Sequence, residues 1–215
     1  MAKDAVGGRR IDIYIVQHGE KETTGGDPAL STVGVAQARL TGRYLATRRI
    51  ELFYTSPLRR ARQTAAIIAD ALGLVMRVDD RLRERMNWGD SSAPQTRDDF
   101  LAEWAWATRD RDFAPRSGDS SRAAGRRALS LLDEVTQRGG GTVALVAHGG
   151  VTVDLLRNLF PDDALRARHP DADVIAHGIP GCAITHLVRR GDTYDLRTLA
   201  SVAHLPVSHY TGHHH

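Results

Sequence analysis

Apolar positions follow two rhythms along the chain. Ile11, Ile13 and Ile15 alternate before Val16, the period-two pattern of a β-strand. A polar cluster, Gln17-His18-Gly19-Glu20, follows where that strand ends. Residues 142–147, TVALVA, form a continuous apolar run, which marks a strand buried on both faces. Further strands are expected at 52–56, 74–78, 182–190 and 193–200, the last two joined by the hairpin signal Gly191-Asp192. Helical periods lie between them at about 32–48, 59–72, 96–112, 120–138 and 151–160. Gly73 stops the second helix, Pro94 and Pro115 bound the third, and Gly139-Gly140-Gly141 ends the fourth.

Strands alternating with helices predict a three-layer α/β/α fold with a mostly parallel central sheet and an antiparallel edge. No internal repeat and no linker divides the chain, so residues 1–210 read as one domain. The stretch at about 91–118 interrupts the alternation and reads as a helical insertion or lid. Residues 211–215, ending in three histidines, look like the remnant of an expression tag and carry no function here.

A histidine stands at the C-terminal end of two of these strands, where ligands bind in α/β proteins. His18 follows the first. His148 follows the apolar run and precedes Gly149-Gly150 and a helix, whose free N–H groups suit an anion. A third His-Gly pair, at His177, leads into Ile179-Pro180-Gly181, a turn, and reads as a surface or structural residue. Neither strand-end histidine has a third ligand at metal-binding spacing, so no metal is expected. Arg59, Arg60 and Arg62 crowd the start of a helix, where the dipole disfavours cations unless an anion lies close.

Composition narrows the partners only a little. The 215 residues carry 29 Lys and Arg against 26 Asp and Glu, a net charge of +3. Lys3 and Lys21 are the only lysines, and no basic run with interleaved aromatics suggests nucleic acid. One cysteine, Cys182, excludes an internal disulfide. Without an apolar leader or a run of membrane-spanning length, the expected compartment is the cytoplasm.

Taken in order, these segments resemble the histidine phosphatase superfamily, also called phosphoglycerate mutase-like. Gln17-His18-Gly19-Glu20 stands where that family opens with Arg-His-Gly-Glu. Leu30-Ser31-Thr32-Val33-Gly34-Val35-Ala36-Gln37-Ala38 matches its next element, and Ser56 to Ala65, SPLRRARQTA, the one after. Leu82-Arg83-Glu84 and Val146-Ala147-His148-Gly149-Gly150 complete the series, with Ser117 to Ser121 resembling a further helix start. The resemblance covers about residues 11–205.

It implies that His18 attacks phosphorus to form a phosphohistidine that water then hydrolyses. Glu84 would protonate the leaving alkoxide and later activate water. His148, Arg60, Gln17 and the Gly149 N–H would bind the phosphoryl oxygens, with no cofactor. The implied partner is a small phosphorylated substrate, neither nucleic acid nor membrane, and a homodimer stays open. Hydrolysis is preferred over mutase chemistry because the segment from Glu20 to Leu30 is short. A phosphate-ligand sensor or scaffold without turnover is the rival. Trp104 or Trp106 could cover the substrate, but residues two apart on a helix point to different sides.

Gln17 is the departure, since it donates N–H bonds but carries no charge. A hydrogen bond to a charged group contributes about 1.5–3 kcal/mol. Gln17→Arg should therefore raise phosphatase kcat/KM by about 10- to 100-fold. An unchanged or lower value in steady-state assays would show that glutamine is there for another reason.

Overall fold

The computed structural model describes residues 9–137, 141–168 and 173–209. Six strands, β1 (Arg10–Gln17), β2 (Leu52–Thr55), β3 (Arg77–Val78), β4 (Thr142–Ala147), β5 (Ile184–Arg190) and β6 (Thr193–Ser201), form one sheet in the order β3-β2-β4-β1-β5-β6. β1, β2, β3 and β4 run parallel, and β5 and β6 add an antiparallel edge. Helices α1 (Thr32–Ala46), α2 (Arg59–Leu72), α3 (Arg97–Arg109), α4 (Ser121–Gln137), α5 (Gly149–Leu159), α6 (Asp162–Arg168) and α7 (Val174–His177) surround it. The three-layer architecture is the one the alternating pattern predicts.

Two apolar layers hold the sheet between its helices. Tyr14, Val16, Ala144 and Val146 pack with Phe53 against Leu45 of α1 and Ala61, Ala65 and Ile68 of α2. Ile11, Ile13, Ile15, Val143, Leu145 and Ala147 face α4 and α5 through Ala128, Leu131, Leu132, Val151 and Leu155. Successive residues of a strand point to opposite faces, so β1 and β4 need apolar side chains at nearly every position.

β1 and β4 pair in parallel with Gln17 opposite Ala147, so His18 and His148 leave the sheet side by side. The chain then turns to α1 on one face and to α5 on the other. That reversal opens a crevice at the C-terminal ends of the strands.

Several boundaries differ from the sequence reading. The strand expected at 74–78 is only Arg77–Val78, because Gly73 and Leu74 close α2 with N–H bonds to the Asp70 and Ala69 carbonyls. Gly73 makes that turn in the left-handed region at φ 64°. α5 begins at Gly149 rather than 151. β5 begins at Ile184 rather than 182, since the Cys182 N–H turns aside to the His18 carbonyl at 3.1 Å. α6 and α7 are elements that helical periodicity missed; they are short, and α6 was legible only in Pro161 and the acidic Asp162-Asp163. Gly139, Gly140 and residues 211–215 lie outside the described residues. Among the described residues no helix is long and apolar enough to cross a membrane.

α4 and α5 approach closely at Gly125, where a Cβ would stand 2.3 Å from the Asp154 carbonyl oxygen. Gly125→Ala must push these helices apart and is expected to destabilise the fold by about 1–3 kcal/mol, despite alanine's better helix propensity. A denaturant midpoint equal to or above wild type would contradict this.

Candidate active site

The loop leaving β1 is held by side chains of the two helices beside it. Gly19 N–H donates to Thr64 Oγ1 at 3.0 Å, Glu20 N–H to Gln37 Oε1 at 2.8 Å, and Leu30 N–H to Gln63 Oε1 at 2.8 Å. Ser31 caps α1 and donates its hydroxyl proton to Glu20 at 2.7 Å. Gly34 is needed for contact: a Cβ there would lie 2.0 Å from the Glu20 carbonyl oxygen. The polar and glycine positions of the quoted motifs thus pin the backbone that carries His18.

His18 is 8% exposed. Its Nδ1 lies 2.7 Å from the Gly19 carbonyl oxygen, which can only accept, so Nδ1 carries the proton. Nε2 is then a bare lone pair, faced by Arg60 Nε and Gln17 Nε2, each at 3.2 Å. Burial pushes the His18 pKa down to about 3, and the Arg60 guanidinium adds to that effect. The ring is neutral at physiological pH.

Arg60 is buried in the first turn of α2, whereas Arg59 and Arg62 are exposed. The anion that makes a cation tolerable there comes from the protein. Asp27 accepts the Arg59 backbone N–H through both oxygens, at 2.9 and 2.7 Å, and pairs with Arg60 at 3.4 Å. Leu58, at the N-cap position, offers no side-chain cap, so Asp27 supplies it from a distant loop. Nothing in the sequence marked Asp27.

His148 is fully buried, and its ring lies 5.1 Å from that of His18, centroid to centroid. Ser56 Oγ is 2.7 Å from His148 Nε2 and already accepts the Leu58 N–H at 3.3 Å. The Ser56 hydroxyl can donate to Nε2, and the other ring nitrogen, Nδ1, is buried with no hydrogen-bond partner. Burial, then the Arg60 charge, holds the His148 pKa well below its ordinary value.

The N-terminus of α5 is already occupied. Glu84 accepts from Gly150 N–H at 3.0 Å through Oε2, and from Val151 and Arg85 N–H at 2.8 Å through Oε1. The helix start that the sequence reading reserves for a bound anion thus holds the candidate acid itself. Gly149 borders Gln17 instead, with a Cβ there 3.8 Å from Gln17 Oε1. These bonds place the Glu84 carboxylate against the Gly150 N–H, two residues along the chain from His148.

Trp104 closes one side. A Cβ at Gly150 would stand 2.6 Å from its indole and 2.5 Å from Glu84 Oε1, so glycine is required for both to fit. The buried Arg85 guanidinium lies 4.0 Å from the Trp104 ring and pairs with buried Asp154 of α5 at 3.1 Å. Ser121 Oγ donates to Asp154 at 2.6 Å, and burial raises the Asp154 pKa to about 6. This network ties α3 to α5 behind Glu84. Trp106 points outward and is 56% exposed. Among the described residues no group of three or more His, Cys, Asp or Glu stands close enough to hold a metal ion.

Two strand-end histidines, a buried arginine and a carboxylate on a helix start thus meet at the C-terminal ends of the strands. The sequence pattern of the histidine phosphatase superfamily (branch 1) matches residues 13–201, and the chain belongs to that family. It is 31% identical over 152 residues to a protein named putative phosphoserine phosphatase 2 from Hydrogenobacter thermophilus, covering 64% of this chain and 73% of that one. It is 34% identical over 158 residues to a 2,3-bisphosphoglycerate-dependent phosphoglycerate mutase from a Methylobacterium, covering 64% and 74%. The solved mycobacterial glucosyl-3-phosphoglycerate phosphatase superposes with a TM-score of 0.71 at 27% identity, covering 90% of this chain and all of that one.

The buried neutral rings make a measurable statement. Nitrogen NMR should show His18 as the Nδ1–H tautomer from about pH 8 down to pH 5, where a free histidine (pKa about 6.5) is already mostly protonated. Because the folded pKa values of His18 and His148 lie below the unfolded one, the stability they contribute is present above about pH 6.5 and is lost as pH falls towards the folded values. A His18 that titrates near 6.5 would refute this geometry.

Proposed function

We propose that the protein is a phosphatase that hydrolyses a phosphomonoester through a phosphohistidine on His18. The observation that carries this reading is the bare Nε2 of a neutral His18, flanked by two N–H donors and facing the His148 ring. The Nε2 lone pair forms the N–P bond as the P–O ester bond breaks, and the leaving oxygen takes a proton from the acid form of Glu84. Water then attacks phosphorus and gives a proton to Glu84. The N–P bond breaks, and phosphate leaves with His18 neutral again.

Each residue has a chemical reason for its part. The Gly19 carbonyl fixes which ring nitrogen is the nucleophile, and burial keeps it unprotonated. Arg60, the Gln17 amide and His148 Nδ1–H donate to phosphoryl oxygens, where positioning and charge stabilisation do most of the catalysis. Glu84 has three N–H bonds, yet a carboxylate offers about four lone-pair directions, so one remains for a proton. Metal-independent hydrolysis fits a site in which side chains supply all the donors.

Hydrolysis is favoured over mutase chemistry by the tight loop between Glu20 and Leu30, pinned by Gln37 and Gln63. The similar proteins named as acting on phosphoserine and on glucosyl-3-phosphoglycerate point to a small phosphorylated organic substrate. Residues 91–118, which carry Trp104, would cover its organic part. A sensor without turnover is the second reading, motivated by the uncharged Gln17 and the Asp27–Arg60 pair.

Incubation with a generic phosphomonoester should give an acid-labile, alkali-stable phosphoryl label that His18→Ala abolishes. Glu84→Gln should keep the label but lower kcat by about 10²- to 10⁴-fold, the usual weight of general acid–base catalysis. Neither label nor turnover across a broad substrate panel would favour the sensor.

A further inference from the structure

Gln17 lies beside the nucleophile with one half of its amide unused. The donors and acceptors around His18 fix which half. Because Nδ1 of His18 gives its proton to the Gly19 carbonyl, Nε2 is an acceptor, and the Gln17 atom 3.2 Å away must be the donating NH₂. Oε1 therefore points elsewhere, and it is buried without a hydrogen-bond partner in a residue only 9% exposed. A buried acceptor left unpaired destabilises the site, so a ligand that brings a donor recovers that loss.

The charges facing Gln17 balance. His18, next on the chain, is neutral, and so is His148 at the end of β4. α2 contributes the Arg60 cation, and the loop after β1 contributes Asp27, paired with it, and exposed Lys21. The start of α5 contributes the Glu84 carboxylate, while Arg127 of α4 and Asp154 deeper in α5 act from further away. Asp90 also acts on the Arg60 charge and Arg97 on that of Lys21, so three cations and three carboxylates surround the crevice. A doubly charged phosphoryl group would leave two negative charges uncompensated and would bring no proton for Oε1. A singly charged one leaves a single charge and carries a P–OH donor beside its acceptor oxygens.

We propose that Gln17 selects the singly charged, protonated form of the phosphoryl group. Its Oε1 accepts the P–OH hydrogen bond, while its NH₂, Arg60 and His148 donate to the other oxygens. The inference rests on the reading of the site as a phosphoryl pocket, and it adds the ionic form that the pocket takes. An arginine at position 17 would present only donors and a full charge, and so would favour the opposite form.

Binding of inorganic phosphate to the wild-type protein, measured by calorimetry at constant ionic strength on both sides of its second ionisation, tests this without turnover. Affinity should fall by about tenfold per pH unit on the alkaline side. Gln17→Arg should abolish or reverse that slope, and its gain in activity should appear only at alkaline pH. Gln17→Met, which keeps the size but removes both amide atoms, should flatten it. Wild-type affinity that is constant or rises with pH overturns the proposal, as does an undiminished slope in Gln17→Met.

In turnover, the alkaline limb of kcat/KM should lie near the substrate's own second ionisation, about 6 for a phosphomonoester. It should move when the substrate is exchanged for one that ionises at a different pH. A limb fixed regardless of substrate would belong to a protein group such as Asp154 and would also overturn it. Loss of labelling at His18 with the phosphate-binding slope intact would refute the catalytic reading and leave this one standing.

Discussion

The parallel pairing of β1 with β4 is the constraint on which everything else in the crevice depends. With Gln17 opposite Ala147, the next residue of each strand is a histidine, and the two rings come within 5.1 Å. A slip of one residue would turn every side chain of the strand to the other face. Apolar packing on both faces of these strands holds the register, so the core sets the distance between the two imidazole rings.

Protein carboxylates complete the site in a way that inverts the usual expectation for helix N-termini. Asp27 caps α2 and Glu84 sits on the start of α5, each meeting N–H groups that a free anion could otherwise have used. The polar groups left at the crevice are therefore side chains: Arg60, the Gln17 amide and the His148 ring. This makes the balance of charge around Gln17 tighter than a count of arginines in the sequence would indicate.

The insertion-like segment joins the site through buried chemistry. Arg85 follows Glu84 directly, and its guanidinium reaches Asp154, the Trp104 carbonyl and the Thr108 hydroxyl. Removing one partner from such a buried pair would strand the other charge, at a cost of about 3–5 kcal/mol. The position of Glu84 and the packing of α3 are thus coupled through adjacent residues. The alternation of apolar positions cannot reveal such a coupling.

Much of this was legible in the chain. Period-two and continuous apolar runs marked β1 and β4, and glycines and prolines marked the ends of α2 and α3, because those signals are local. His18, His148, Arg60, Glu84 and Gln17 were all named from the sequence, and the fold gathers them around one crevice. The short elements α6 and α7, the shrunken β3, the cap from Asp27 and the Ser56 bond to His148 depended on partners distant in sequence. So did the direction of the Gln17 amide, which follows from a proton on the far side of the His18 ring. The sequence by itself determined which chemical groups are present and which strand ends carry them. Tertiary structure decided which of those groups are already satisfied, because a hydrogen-bond partner contributed from elsewhere in the chain leaves no local mark.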